Sequence, residues 1–213
     1  GLEGMGDAAA REQLLDRSIA WLMAAPHAKG IELIGDETVA IGPAGQAVTH
    51  TLRLRNTGTL TDVYTIQLQG QQWPTALMNS AFTQTMASPL TIGPCLSQTL
   101  GLKSDIPASA PRNQFDVITL TAQSQSDATV LSAATFGNKT PATLLLVDDD
   151  RWYEQEDKYR SALEMLGTPY DTFDTRGRAG PDLARLNLYP LVVWFNGYDW
   201  FDPMSDADEA NLA

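Results

Sequence analysis

The chain has 213 residues, 43% of them hydrophobic and 19% charged, with a formal net charge of −12. This composition supports one or two globular domains with real cores. It excludes a nucleic-acid binder, because phosphate recognition needs basic patches, and with no run of about 18 apolar residues it excludes a transmembrane helix.

The charge is unevenly spread. Residues 1–25 carry net −2, residues 26–142 net −1, and residues 143–213 hold 15 acids against 6 bases, net −9. The step near residue 142 predicts a boundary. Gly1 opens inside sequence that reads as folded, with no signal peptide, as expected of an internal piece of a larger chain. One cysteine, Cys95, excludes an intrachain disulfide and a cysteine-based zinc site. It has no basic neighbour in sequence and is expected to be a small buried hydrophobe.

In chain order, Asp7 is positioned to cap a helix on which Leu15, Ile19 and Leu22 recur at helical spacing. Pro26 ends it. One helix cannot form a domain, so residues 1–25 are expected to close an upstream domain. From about residue 31 to 138 the pattern becomes β. Ile31–Gly35 and Val39–Gly42 are short strand candidates. Alternation then marks Val48–Asn56, the Tyr64–Ile66–Leu68 stretch, Leu96–Leu100–Leu102, and Ile118–Leu120–Ala122. Asn56-Thr57-Gly58 and Gly93-Pro94 supply turns. About seven strands are expected in a two-sheet antiparallel sandwich of immunoglobulin-like size. Its predicted interior holds Leu52, Leu54, Tyr64, Ile66, Leu100, Ile118 and Leu120.

From residue 141 onward the order is β-α-β-α-β-α. Leu144–Val147 reads as a strand buried on both faces, and Leu191–Phe195 as another. Tyr159, Leu163 and Leu166 share one helix face that ends at Gly167. Tyr170–Thr175 is a strand and Pro181–Asn187 a short helix. Ser205 with Asp208 forms a capping box. The expected fold class is therefore mixed: an immunoglobulin-like β-sandwich over 26–140, then a partial doubly wound, flavodoxin-like α/β unit over 141–213 that stops at three strands.

The segments LRLRNTGTLTDVYTIQLQGQQW (52–73), TIGPCLSQTLGLKSDIP (91–107) and QFDVITLTAQSQSD (114–127) resemble the immunoglobulin-like modules of secreted bacterial glycosidases and proteases, of the NPCBM-associated type. That resemblance implies a spacer or accessory role without chemistry. LLLVDDDRWYEQEDKYRSALEMLGTPYDTFD and LNLYPLVVWFNGYDW resemble class I glutamine-amidotransferase-like α/β domains of large bacterial exoproteins. Such arrangements accompany subtilisin-like and metallopeptidase domains, which implies an extracellular or cell-surface setting. Expected partners are neighbouring domains of the parent chain, then protein or polysaccharide.

Asp148, Asp149 and Asp150 are the sharpest chemical feature. They follow a buried strand at the carboxyl edge, where open α/β sheets place ligands. Three adjacent carboxylates can hold Ca²⁺ or Mg²⁺ through hard oxygens. The alternative is a capped loop in which Asp150 accepts N–H groups from the following turn and the others face water. The same run resembles response-regulator receivers, but Asn196 stands where the phosphoacceptor Asp is required, which removes the nucleophile. Catalytic amidotransferases need Cys and His. Here Cys95 lies in the sandwich, and His27 and His50 both precede the α/β segment, so a non-catalytic module is expected. No other cofactor is implied. His50 is expected at a rim and His27 in solvent. Trp152, Trp194, Tyr198, Trp200 and Phe201 crowd the same carboxyl edge, either to stack on a ligand or to cover the core. Asn138-Lys139-Thr140 matches a glycosylation sequon by chance.

Overall fold

Alternation of apolar side chains decides the architecture over the first two thirds of the chain. The computed structural model describes residues 12–17, 27–35, 39–150, 154–197 and 204–212. Residues 12–17 are helical (α1), with Leu14 and Leu15 exposed. Asp7, Ile19 and Leu22 lie outside the described residues.

Nine strands follow: β1 (Ile31–Gly35), β2 (Val39–Ile41), β3 (Ala47–Asn56), β4 (Asp62–Gln69), β5 (Thr75–Asn79), β6 (Leu90–Ile92), β7 (Ser97–Asp105), β8 (Phe115–Ser124) and β9 (Leu131–Lys139). They form a four-stranded sheet in the order β1-β3-β7-β5 and a five-stranded sheet in the order β2-β9-β8-β4-β6. All pairings are antiparallel except β2 with β9. One apolar cluster joins the facing sides: Leu52, Leu54, Leu100 and Leu102 from the first sheet meet Tyr64, Ile66, Leu120 and Phe136 from the second. This is a β-sandwich, and all seven interior residues expected from the alternation are buried.

Three strands go beyond the expectation of about seven elements or blur it. β5 buries adjacent Leu77 and Met78 rather than alternating, and β6 has only three residues. Leu96 precedes β7 and is exposed, because it belongs to the Gly93 turn, donating its N–H to the Gly93 carbonyl (3.2 Å). The Asn56-Thr57-Gly58 turn is built as read. Asn56 Oδ1 accepts the Gly58 N–H (2.8 Å), while Asn56 Nδ2 donates to Leu60 O and Ile92 O, each 2.9 Å. A Cβ on Gly58 would lie 2.6 Å from the Ala28 carbonyl oxygen, so the tight approach requires glycine.

The last third contains β10 (Leu144–Asp148), α2 (Glu156–Met165), β11 (Tyr170–Asp174), α3 (Leu183–Leu186), β12 (Leu191–Phe195) and α4 (Asp206–Leu212). The sheet order is β11-β10-β12, and both pairings are parallel. The central strand β10 buries both faces. Leu145 and Val147 pack with Leu186 and Tyr189 on the α3 side, whereas Leu144 and Leu146 pack with Phe195 and Leu163 on the α2 side. Helices therefore cover opposite faces of this small sheet.

Two expectations about burial are corrected here. α2 has no buried residue, and Leu166 is exposed beyond its last turn. Its apolar face is only two side chains wide: Leu163, and Tyr159 stacked on Phe195 at 4.3 Å. β12 is not fully buried either. Leu191 is exposed and only Phe195 is buried, because β12 is an edge strand with one hydrogen-bonded neighbour. Ser205 and Asp208 form the expected capping box. The Asp208 carboxylate accepts from Ser205 N (3.1 Å) and Ser205 Oγ (2.6 Å), and Asp208 N–H donates to Ser205 Oγ (3.3 Å).

Candidate functional site

The carboxyl edge of the parallel sheet splits the Asp148–Asp150 run by the period of a strand, in which successive side chains point to opposite faces. Asp149 is buried. Its Oδ1 accepts from Thr175 Oγ1 (2.7 Å), and its Oδ2 accepts from Trp194 Nε1 (3.0 Å) and Asn196 Nδ2 (3.2 Å). Its N–H donates to the Phe195 carbonyl (3.0 Å), and Thr175 N–H donates to the Asp148 carbonyl (2.9 Å). Asp149 therefore ties the ends of β11 and β12 together across β10. It does not face water as the capped-loop expectation had it.

Asp148 and Asp150 turn the other way and meet Glu156 from the first turn of α2. One carboxylate oxygen from each lies within 4.8 Å of the others. Asp150 is buried, and its Oδ2 accepts the Gln155 N–H (3.2 Å), at the residue that starts α2. The Asp150 N–H in turn reaches Asp148 Oδ1 at 3.4 Å. Gly197 closes the edge with a left-handed φ of +55°. A Cβ there would lie 2.7 Å from Asp150 Cβ, so the backbone is pressed against the acidic loop. Burial, and then the Asp150 carboxylate, push the Asp148 carboxyl up to about 6. Three converging carboxylates, of which only Glu156 has a cationic neighbour among the described residues, Arg160 at 4.0 Å, are the donor set of a hard-cation site.

A second constellation was not anticipated. Lys139, the last residue of β9, donates from Nζ to Asp171 Oδ1 on β11, and both side chains are buried. Asp171 Oδ2 accepts from Ala142 N (2.8 Å) and from the Tyr189 hydroxyl (3.0 Å). Burial raises the Tyr189 phenol far above its ordinary range, so it remains a donor. Arg112, beside the sandwich, gives Nη1 hydrogen bonds to Ala142 O and Leu188 O, both 3.0 Å. The ammonium of Lys139 also lies 5.0 Å from the Phe115 ring centroid. Both oxygens of the buried carboxylate thus meet donors, the condition under which a buried ion pair is tolerated.

The remaining sequence candidates take structural places. His50 is 1% exposed, a correction to the rim position expected for it. Its strand is covered by Phe136 at 5.1 Å, and its Nε2 bonds Asn138 Oδ1 at 2.8 Å. Asn138 is fully buried, so the sequon is inaccessible. Cys95 is exposed rather than buried, because it occupies a turn with φ +58°. His27 is exposed as read. Trp194 is spent on Asp149, and Trp152, Tyr198, Trp200 and Phe201 lie outside the described residues. Among the described residues, no helix is long and apolar enough to cross a membrane.

No family model matches the chain, and no curated protein matches it. Among solved structures it is similar to a FixG-related protein from Vibrio parahaemolyticus, with 13% identity over 53% of this chain and 96% of that one, at a TM-score of 0.39. It is also similar to the secreted serine protease VesC from Vibrio cholerae, with 13% identity over 53% of this chain and 24% of that one, at a TM-score of 0.35. The CupB2 chaperone from Pseudomonas aeruginosa gives 15% identity over 50% of this chain and 55% of that one, at a TM-score of 0.34. At these TM-scores none of the likenesses bears on what the chain does.

Proposed function

We propose that this chain is a non-catalytic accessory, spacer and interaction module of an exported bacterial protein, with a secreted peptidase as its parent. In this reading residues 1–25 close an upstream domain, residues 26–140 are an immunoglobulin-like sandwich, and residues 141–213 are the N-terminal part of a flavodoxin-like, amidotransferase-like α/β domain. The observation that carries it is the junction. Only residues 140–143 connect β9 to β10, and the Lys139–Asp171 pair and the Arg112 bond to the Leu188 carbonyl join the two units across that connection, with Tyr189 holding Asp171 from its own side. A spacer serves by fixing the orientation of what it joins. Interfaces between domains otherwise permit relative motion unless they are extensive or specifically bonded.

The direct test is turnover. The purified chain is incubated with panels of fluorogenic peptides, amides and aryl glycosides, with no release above buffer expected. Turnover that persists through further chromatography and is abolished by one substitution at the carboxyl edge overturns the non-catalytic reading.

A second reading concerns Asp148, Asp150 and Glu156, whose convergence and the raised Asp148 favour a Ca²⁺ or Mg²⁺ site. Asp149 then supports the loop rather than ligating, through Thr175, Trp194 and Asn196. Calorimetry with each cation decides it. Sub-millimolar binding lost in Asp150→Ala supports it, and absence of heat at millimolar cation overturns it.

A further inference from the structure

Asn196, directly after β12, and Gly197 form a pair whose chemistry the fold enforces. Of the seven asparagines in the chain, only Asn196 precedes a glycine. A following glycine has no side chain to screen its own backbone nitrogen, so that nitrogen reaches the asparagine Cγ more readily than with any other following residue. The carboxyl edge leaves no alternative to glycine. Gly197 has a left-handed φ of +55°, and a Cβ there would lie 2.7 Å from Asp150 Cβ and 3.1 Å from Asp150 Oδ2. Packing against the acidic loop thus places beside Asn196 the residue that makes its side-chain amide most labile.

The same edge holds the labile group in place. Asn196 Nδ2 donates to Asp149 Oδ2 (3.2 Å). Asp149 is itself buried and is anchored by Thr175 Oγ1 (2.7 Å) and Trp194 Nε1 (3.0 Å). Cyclisation requires the Asn196 Cγ to swing onto the Gly197 nitrogen, which gives up the bond to Asp149. That bond is charge-assisted and in a buried setting, so it opposes the movement.

We infer that Asn196–Gly197 is a deamidation site gated by Asp149, at which a one-way chemical step fixes the carboxyl edge in an opened form. The Gly197 nitrogen bonds to Asn196 Cγ, the Cγ–Nδ2 bond breaks, and ammonia leaves with the proton of the Gly197 N–H. Water then opens the succinimide ring at either carbonyl, giving aspartate or isoaspartate. One water is consumed, one ammonia is released, and nothing is oxidised or reduced. The product carries a carboxylate where the donor stood. It faces the Asp149 carboxylate with like charge, so the clamp cannot re-form. The inference stands apart from the spacer role and from any cation at Asp148, Asp150 and Glu156.

The full chain is incubated at neutral pH and physiological temperature, and its tryptic peptide 186–213 is sampled by mass spectrometry. Fragmentation assigns the amide-to-acid mass gain to Asn187, Asn196 or Asn211. In the urea-unfolded chain Asn196 should convert fastest of the three. In the native chain it should convert at least about tenfold more slowly, as a group released only by local opening. Asp149→Ala should raise the native rate about tenfold, as expected for the loss of one charge-assisted bond. Gly167→Ala, which strains the same unit away from the clamp, should leave the rate near that of the unaltered chain. If Asp149→Ala does not fold, Asp149→Asn, which keeps the shape and loses the charge, should give a smaller acceleration. Asn196→Asp, which mimics the product, should lower the melting temperature more than Asn196→Ala, which removes the bond without adding charge. Equal native rates with and without the Asp149 carboxylate, or an equal acceleration by Gly167→Ala, overturn the inference. So does an Asn196→Asp chain as stable as Asn196→Ala.

Discussion

Lys139 and Asp171 lie 32 residues apart, on the last strand of the sandwich and an edge strand of the parallel sheet, and form a buried ion pair at the junction. Removing one partner leaves the other charge buried. Lys139→Ala should therefore cost about 3–5 kcal/mol. The double variant Lys139→Met/Asp171→Leu should cost less, because no charge is stranded. Urea denaturation of the three proteins checks this. A single variant no worse than the double would show that the pair is hydrated.

Asp149→Ala should loosen the carboxyl edge. It leaves Trp194 Nε1 and Thr175 Oγ1 without their acceptor, a loss on the order of 3 kcal/mol. Amide exchange at Asp149 and Thr175 should accelerate, since those N–H groups complete the same clamp. Unchanged exchange there would mean that the backbone ladder holds the edge unaided.

Gly197→Ala and Gly167→Ala separate two kinds of strain. Both positions have left-handed φ, +55° and +62°. A Cβ at Gly167 meets nothing within 4 Å, so that variant bears only the backbone term, about 1–2 kcal/mol. At Gly197 the same Cβ strikes Asp150, so the loss should be larger. Thermal unfolding measures both, and equal losses would contradict the contact.

The Asp148 carboxyl gives a pH dependence with a defined sign. Its value is raised from 3.8 to about 6 in the folded state, so between those values the folded chain binds more protons than the unfolded one. Stability from this group falls as pH rises through that window. Asp148→Asn should therefore raise the melting temperature at pH 7, and the gain should vanish as pH falls toward 4. Asp62 and Asp208 act at lower pH. Burial works to raise each, but their hydrogen bonds outweigh it and hold both below the ordinary range. Their contribution is present above that range and lost in stronger acid. A gain in Asp148→Asn that is independent of pH would point to packing instead.

The sandwich was legible where strands are long and one-sided: Leu52, Leu54, Tyr64, Ile66, Ile118 and Leu120 lie inside as their alternation requires. It was less so at β5 and β6, where Leu77 and Met78 are buried side by side and three residues are too few for a period. The parallel strands could be placed from apolar runs, yet burial at Leu191 and Leu166 depends on what lies beyond them, which a run does not encode. The acidic edge was half legible. A run of three identical residues hides the alternation that sends Asp149 to Trp194 and Asp150 toward Gln155. The period of β10 continued past Asp148 was the available signal. The junction was invisible. Lys139 resembled a surface residue inside a chance sequon, and its partner is fixed only by the pairing of β10 with β11. His50 and Cys95 were misplaced for one reason: a single polar or small residue carries no periodicity, so its depth follows from its neighbours.

The most direct test of the central claim, that the sandwich and the parallel sheet are held in one orientation, is a distance distribution between them. Spin labels at Gln67→Cys on β4 and Glu164→Cys on α2, both exposed positions, in a Cys95→Ser background, are read by pulsed electron paramagnetic resonance. A single narrow peak that broadens when Lys139→Met is added is the predicted result. A broad or multiply peaked distribution with the junction intact would contradict the account.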